Sequence, residues 1–172
     1  MINTEKIKQL TYELLEALGE DPQREGLKDT PERVAKMYLE LCSGLNEPAD
    51  NFIKTFKENK NQNDIIEIRD IPVYSLCEHH LLPFTGTAHI KYVPQDGVIM
   101  GLSKFARVVN NFSRRPQVQE RLTAEIADFI FSKLSAKGVE VTLECEHLCM
   151  TMRGIKAHGS RTKTTAARGS LR

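Results

Sequence analysis

The feature that most limits what this chain can become is that its strand-like segments come in neighbouring pairs. Residues 85–93 alternate, with Ala88, Ile90 and Tyr92 on one face and Thr87, His89 and Lys91 on the other. Val139, Val141 and Leu143 alternate in the same way with Glu140, Thr142 and Glu144. Successive strand side chains point to opposite faces, so each segment has one face for a core and one for water. Before the first of these, Ile65–Leu76 is rich in β-branched and aromatic residues, and Pro72 marks a break or an edge position. A last strand is expected from about Cys149 onward. Helical spacing accounts for much of the rest. Ile7, Leu10, Leu14 and Leu18 form one helix that Gly19 ends, and Val34, Met37, Tyr38 and Leu41 form a second that Thr30 caps, Pro31 opens and Gly44 ends. Both apolar faces are read as core. Ser103 caps a third helix running toward Arg114, and a fourth runs from about Val118 to Ala136 with Gly138 at its end. Two helices, two strands, two helices and two strands predict an α+β chain with an antiparallel sheet, not a doubly wound parallel one.

Composition narrows the partners. Among 172 residues, 24 Lys and Arg meet 23 Asp and Glu, a formal net charge of +1. A nucleic-acid coat or a membrane-surface protein would be strongly basic, so neither partner is expected. No apolar run approaches the roughly 18 residues of a membrane span. The start MINTEKIKQL lacks the basic-then-apolar stretch of a secretory signal, so a reducing cytoplasm is expected. There, Cys42, Cys77, Cys145 and Cys149 read as packed thiols, ligands or catalysts and not as disulfides. The polar run 57–64 reads as a linker or long loop, dividing an N-terminal helical region, 1–59, from a sheet-bearing core, 60–172.

Two clusters carry the chemistry. Cys77-Glu78-His79-His80 presents a thiolate and an imidazole at Cys-x-x-His spacing, which can grip one zinc ion from a single turn. Cys145, His147 and Cys149 lie together in the second cluster. Spacing alone allows a closed structural site of Cys77, His80, Cys145 and Cys149, or an open one of Cys77, His80 and Cys149 with a place for water. His79 and His147 adjoin the donors, and histidine as a residue type can exchange protons near neutral pH, as a proton shuttle must. Gly101-Leu102-Ser103-Lys104 at a helix start offers amides, a hydroxyl and an ammonium to a phosphate. If the strand from Cys149 is regular, Cys149, Thr151 and Arg153 share a face while Met150 and Met152 face the core. Arg153 would then lie along the metal-bearing surface as a polyanion clamp. It opens an acid-free tail of charge +6, ending at Arg172.

These motifs, together with Arg115–Leu122, His147–Gly154 and the upstream stretches Asp21–Leu27 and Thr30–Met37, closely resemble the zinc-type GTP cyclohydrolase I family. The resemblance covers nearly the whole chain. It implies the tunnelling fold, an antiparallel sheet backed by two helices, preceded by the N-terminal helices. It implies an enzyme that opens the guanine imidazole ring of GTP, releases C8 as formate and forms 7,8-dihydroneopterin triphosphate, the first step of folate or other pterin biosynthesis. One Zn2+ per subunit would be held by Cys77, His80 and Cys149, activating water for attack at C8. His147 would protonate N7, and His79 would assist proton transfer. Glu120 would accept hydrogen bonds from guanine N1–H and the exocyclic amine, a donor pair adenine lacks. Ser103, Lys104, Arg107 and Arg153 would hold the triphosphate, with Arg33 as a further candidate, and Gln119 would line the pocket. Cys145 would be a packed thiol.

The implied assembly is a homodecamer of two stacked pentamers, with active sites between subunits. Family members often continue past an Arg-Gly pair, here Arg168-Gly169, so C-terminal interface contacts are expected to differ. The short N-terminus argues against an animal-type feedback partner. Two competing readings are a deazapurine reductase of the same fold, which would not need the paired Cys/His motifs, and a non-catalytic zinc-stabilised module with Cys145 as fourth ligand.

Overall fold

The computed structural model describes residues 1–58 and 64–172. The expected division between residues 59 and 60, and most of the polar run around it, lie outside the described residues. Helices α1 (Thr4–Ala17) and α2 (Thr30–Leu41) come first, followed by two short 3-10 turns, Ser43–Leu45 and Ala49–Phe52. Then follow β1 (Thr55–Lys57), β2 (Ile66–Cys77), β3 (Pro83–Val93), β4 (Val98–Met100) and α3 (Leu102–Ser113). The chain continues with β5 (Pro116–Gln117), α4 (Gln119–Leu134), β6 (Gly138–His147), α5 (Leu148–Thr151) and β7 (Thr162–Gly169).

One sheet has the order β5-β2-β3-β6-β7, and β1 and β4 make a separate antiparallel pair. Every contact in the larger sheet is antiparallel except the short β2/β5 pairing. Helices α3 and α4 cover one face. Phe105, Val108, Val109, Leu122, Ile126 and Ile130 meet Val73, Phe84, Ala88, Ile90, Tyr92, Val139, Val141 and Leu143 in a single core. Each buried Val, Leu, Ile or Phe among them contributes about 1.5–3 kcal/mol relative to exposure. The other face is polar, as the alternation requires. Lys91 pairs with Glu140 at 3.0 Å across β3 and β6, and Thr142 meets Thr165 at 3.0 Å across β6 and β7.

Several sequence expectations are corrected. Asp29, not Thr30, occupies the cap position of α2, because the chain already turns helically one residue earlier. Ser103 lies inside the first turn of α3, behind Gly101 at the cap. Helix α4 stops at Leu134, where Ser135 takes a left-handed conformation (φ +46°), and Gly138 opens β6. Pro72 does not break β2 but pairs with Thr87. The irregularity falls between Ile68 and Ile71, where Asp70 has φ +56° and its N–H donates to His89 Nδ1 at 3.3 Å. Among the described residues only Leu76 and Cys77 of β2 have a second neighbour, so Pro72 sits on an edge stretch.

The largest difference concerns the N-terminal helices. Leu10, Leu14, Leu18 and Met37 are exposed, α1 contributes no buried residue and α2 contributes only Ala35. Their apolar faces pack on each other and leave an open groove of about 660 Å³, bordered by Leu81 and Pro116, instead of joining the sheet core. Among the described residues no helix is long and apolar enough to cross a membrane.

Near the start of β3, Gly86 faces Cys145 across the β3/β6 ladder, and a Cβ there would sit 2.0 Å from the Glu144 carbonyl oxygen and 2.9 Å from Cys145 Sγ. The strands can pair this closely only because no side chain intervenes. Gly86→Ala is expected to destabilise the fold by about 1–3 kcal/mol, the usual cost of overpacking. Chemical denaturation followed by circular dichroism checks this, and an unchanged midpoint would show that the ladder can open without cost.

Candidate metal centre and its surroundings

Strand β2 ends at Cys77, and a tight turn carries the chain to β3. The Cys77 carbonyl accepts from the amides of Leu81 at 2.8 Å and His80 at 3.3 Å, while Cys77 N–H donates to the Leu82 carbonyl at 2.8 Å. That turn folds His80 back beside Cys77. Strand β3 pairs Phe84 with His147 at the end of β6, and the chain then enters α5, which carries Cys149. The ligand atoms of Cys77, His80 and Cys149 all lie within 4.8 Å of one another. Two thiols and an imidazole at this separation can close on one metal ion. Partial burial, with the Cys77 thiol close by, holds the Cys149 thiol above its ordinary range. Two neighbouring thiolates repel each other, so a cation between them favours the ionised pair and releases protons on binding.

Cys145 is not in this group. It continues the inward face of β6 after Val139, Val141 and Leu143 and is fully buried. Desolvation pushes its thiol up to about 12. The four-donor set with Cys145 is therefore not assembled, and the group has three protein donors.

Around it stand the other residues read from the sequence. His79 Nδ1 lies 3.7 Å from Cys77 Sγ. Arg153 Nη1 donates to His80 Nε2 at 3.2 Å and approaches the Cys149 carbonyl at 3.5 Å. The strand expected there is absent. Residues 148–151 are helical, so Arg153 reaches back over about one turn, while Thr151 is buried and Met150 and Met152 are exposed. His147 stacks on Phe84 (centroids 4.6 Å apart, 10° between planes), and its Nε2 lies 2.7 Å from Gln119 Oε1. Burial lowers the His147 pKa, partly opposed by the charge of Glu120. Glu120 is exposed at the start of α4, whereas Gln119, one residue earlier, is buried.

The phosphate-binding candidates other than Arg153 lie elsewhere in the chain. Ser75 Oγ donates to the Ser113 carbonyl at 2.8 Å, so the C-terminal end of α3 abuts the metal end of β2. A helix rises about 1.5 Å per residue, which puts Ser103 roughly 15 Å farther along the axis. Ser103 and Lys104 thus sit at the opposite end of α3 from the Cys/His group, and Arg107 lies midway along the helix. Arg33 is on α2, paired with Asp29 at 3.4 Å.

Sequence reasoning passed over the ion pair that braces the metal turn. Glu78 pairs with Arg121, which holds the Glu78 carboxyl below its usual range. Arg121 also donates to Gln117 Oε1 at 3.0 Å. Glu78 reads in sequence as a spacer between ligands, and nothing local joins it to a residue 43 positions away. Phe84, just ahead of the alternating stretch, could have been read as the stacking partner only if the β3/β6 register were known.

A sheet backed by two helices, with a three-donor metal group at one end, defines a metal-site protein of the tunnelling fold. The crystal structure of the archaeosine synthase QueF-Like in the apo form shares this fold, with a TM-score of 0.50 and 14% identity over 66% of this chain and 100% of that one. The family model for GTP cyclohydrolase I matches residues 7–172. GTP cyclohydrolase 1 of Caldanaerobacter subterraneus subsp. tengcongensis is 58% identical over all of this chain and 91% of the relative. That of Streptococcus agalactiae serotype Ia is 57% identical over 98% of this chain and 90% of its own length. The chain belongs to the GTP cyclohydrolase I family and is an enzyme of that family.

If three donors hold the ion, Cys149→Ala is expected to reduce bound metal from about one ion per chain to almost none, whereas Cys145→Ala keeps it. Metal analysis of the purified variants by mass spectrometry checks this. Loss of metal from Cys145→Ala would restore the four-donor alternative.

Proposed function

We propose that this enzyme hydrolyses GTP at C8 of the guanine, releasing formate and forming 7,8-dihydroneopterin triphosphate, with zinc as the resident ion. The observation that carries this reading is the grouping of Cys77, His80 and Cys149 with Cys145 held apart in the core. Two thiolates and an imidazole suit borderline-soft zinc, and three protein donors leave a position for water, the pattern of catalytic rather than structural sites. When bound, the ion supplies Lewis-acid activation of water.

The chain's own residues supply the rest. His147, next to the group, holds and moves the proton at N7 of the base, making C8 more electrophilic. His79, exposed beside Cys77, relays protons to solvent. The Glu120 carboxylate accepts from N1–H and the exocyclic amine of guanine. Arg153, already directed at the metal group, neutralises phosphate charge nearest the reacting end. Ser103 and Lys104 at the start of α3 and Arg107 midway along it take the remaining phosphates, with Arg33 as a further cation.

The separation along α3 favours a site completed by a second copy of the chain. The open β2 edge and the uncovered faces of α1 and α2 provide surfaces for such assembly. We take the assembly to be two stacked pentamers. Four free cysteines suit a reducing cytoplasm. The non-catalytic reading with Cys145 as fourth ligand is disfavoured by that residue's burial.

Incubation of the zinc-loaded protein with GTP is expected to release formate and, after oxidation, a fluorescent pterin. Intact metal-loaded protein that gives neither would overturn the reading. Glu120→Ala is expected to lower the preference for GTP over ATP by about 1.5–3 kcal/mol, roughly ten- to hundredfold. Undiminished discrimination removes Glu120 from base recognition. Arg153→Ala is expected to weaken triphosphate binding more than guanosine binding, and equal losses would reassign it.

A further inference from the structure

Gln119 stands between the sheet and His147, and its carboxamide is committed at both ends. Its Nε2 lies 3.2 Å from the Leu143 carbonyl oxygen, 2.9 Å from the Thr162 carbonyl oxygen and 3.0 Å from Thr164 Oγ1. Carbonyl oxygens only accept hydrogen bonds, so the end of the carboxamide facing β6 and β7 must be the NH2 group. The reverse orientation would set two carbonyl oxygens against a third oxygen. The carboxamide oxygen therefore faces His147 Nε2, at 2.7 Å.

The hydroxyls beside it agree. Thr123 Oγ1 donates its one proton to the Gln119 carbonyl at 2.7 Å. In the 2.6 Å contact between Thr123 Oγ1 and Thr164 Oγ1, Thr164 must then be the donor. That leaves a lone pair on Thr164 Oγ1 to accept from Gln119. Every proton has a place, and the network has one direction. Gln119 is 1% exposed and Thr123 likewise, so water does not offer an alternative partner.

An oxygen acceptor 2.7 Å from an imidazole nitrogen requires that nitrogen to carry hydrogen. We infer that Gln119 is a positioning residue: it fixes the ring proton of His147 on Nε2 and leaves Nδ1 as the nitrogen that exchanges a proton with substrate. This rests on the proton-transfer role proposed for His147. It also removes the Gln119 carboxamide from direct contact with the base, since no donor or acceptor of its head group is left facing the pocket. The Phe84 ring, stacked on His147 and fully buried, holds the imidazole plane, so Gln119 sets the tautomer and Phe84 the tilt. Glutamate would place a carboxylate against two carbonyls, and asparagine is one methylene too short to span β7 and His147 together.

The test uses zinc-loaded protein selectively labelled with 15N-histidine and studied by magic-angle-spinning NMR, with His147→Gln identifying the His147 signals by their loss. The unmodified protein is expected to show a protonated Nε2 and an unprotonated Nδ1 at His147. Gln119→Met, close in shape but without the acceptor, is expected to give mixed tautomers. Its kcat should fall by about tenfold or more while KM for GTP changes less than about threefold, the pattern of a lost transition-state interaction. A proton on Nδ1 in the unmodified protein overturns the inference. So does Gln119→Met that keeps the single Nε2–H tautomer, or that raises KM with kcat unchanged, which would return Gln119 to the pocket wall. Should Gln119→Met not fold, the unmodified protein still decides the tautomer, and Thr164→Val, which retains both carbonyl acceptors, must preserve it. Absence of GTP turnover alongside a His147 protonated on Nε2 would overturn the functional reading and leave the placement of the proton intact.

Discussion

Strand β3 is hydrogen-bonded on both sides, to β2 and to β6, and its register decides where the chemistry falls. Leu76 pairs with Pro83 and Phe84 pairs with His147, so β2 and β6 end together at one edge of the sheet. The turn after β2 and the short helix after β6 then have nowhere to go but toward each other, and their cysteines meet. A slip of one residue would exchange the two faces of a strand. On β6 that would turn Cys145 out of the core and His147 away from Phe84. The absence of a side chain at Gly86 protects this register where Cys145 packs beneath the site. The apolar core under α3 and α4 thus maintains the geometry of the polar centre, which it meets at Cys77 and, through Phe84, at His147.

Helix α4 is the second brace. Its first residues reach three parts of the site at once: Gln119 holds His147 against β6 and β7, Glu120 stands in the open, and Arg121 pairs with the glutamate inside the metal turn. These are three consecutive residues, so one helix start links the residues proposed for base recognition and proton transfer to the ligand turn. By contrast, α3 runs the other way, with its C-terminal end at the metal centre and its cationic N-terminal turn at the far end. The same two helices that close the core therefore separate the proposed phosphate cradle from the metal within one chain.

Much of this was legible in the sequence, and the failures have physical causes. The alternating segments became β3 and β6 because period-two burial is a local signal, and the Cys-x-x-His turn was legible because its donors are neighbours. Arg153 was placed beside the metal group for the wrong reason: residues 148–151 are helical, yet a return over one turn brings the guanidinium to the surface that a strand would have offered. The apolar faces of α1 and α2 were read as core because periodicity reports amphipathicity without saying what covers it. The networks joining Glu78 to Arg121 and Gln119 to Thr164 were hidden, since each depends on partners more than 40 residues apart.

On the proposed function, the metal-centred residues and the phosphate-binding residues of α3 must act together although the helix holds them apart in a single chain. The most direct test mixes two inactive variants, Cys149→Ser and Arg107→Ala/Lys104→Ala, after dissociation and reassembly. If each site draws these residues from different copies, the equal mixture should regain roughly a quarter of unmodified turnover, since two independent protomers must both supply intact parts. A mixture as inactive as its components would contradict a shared site and return the whole reaction to one chain.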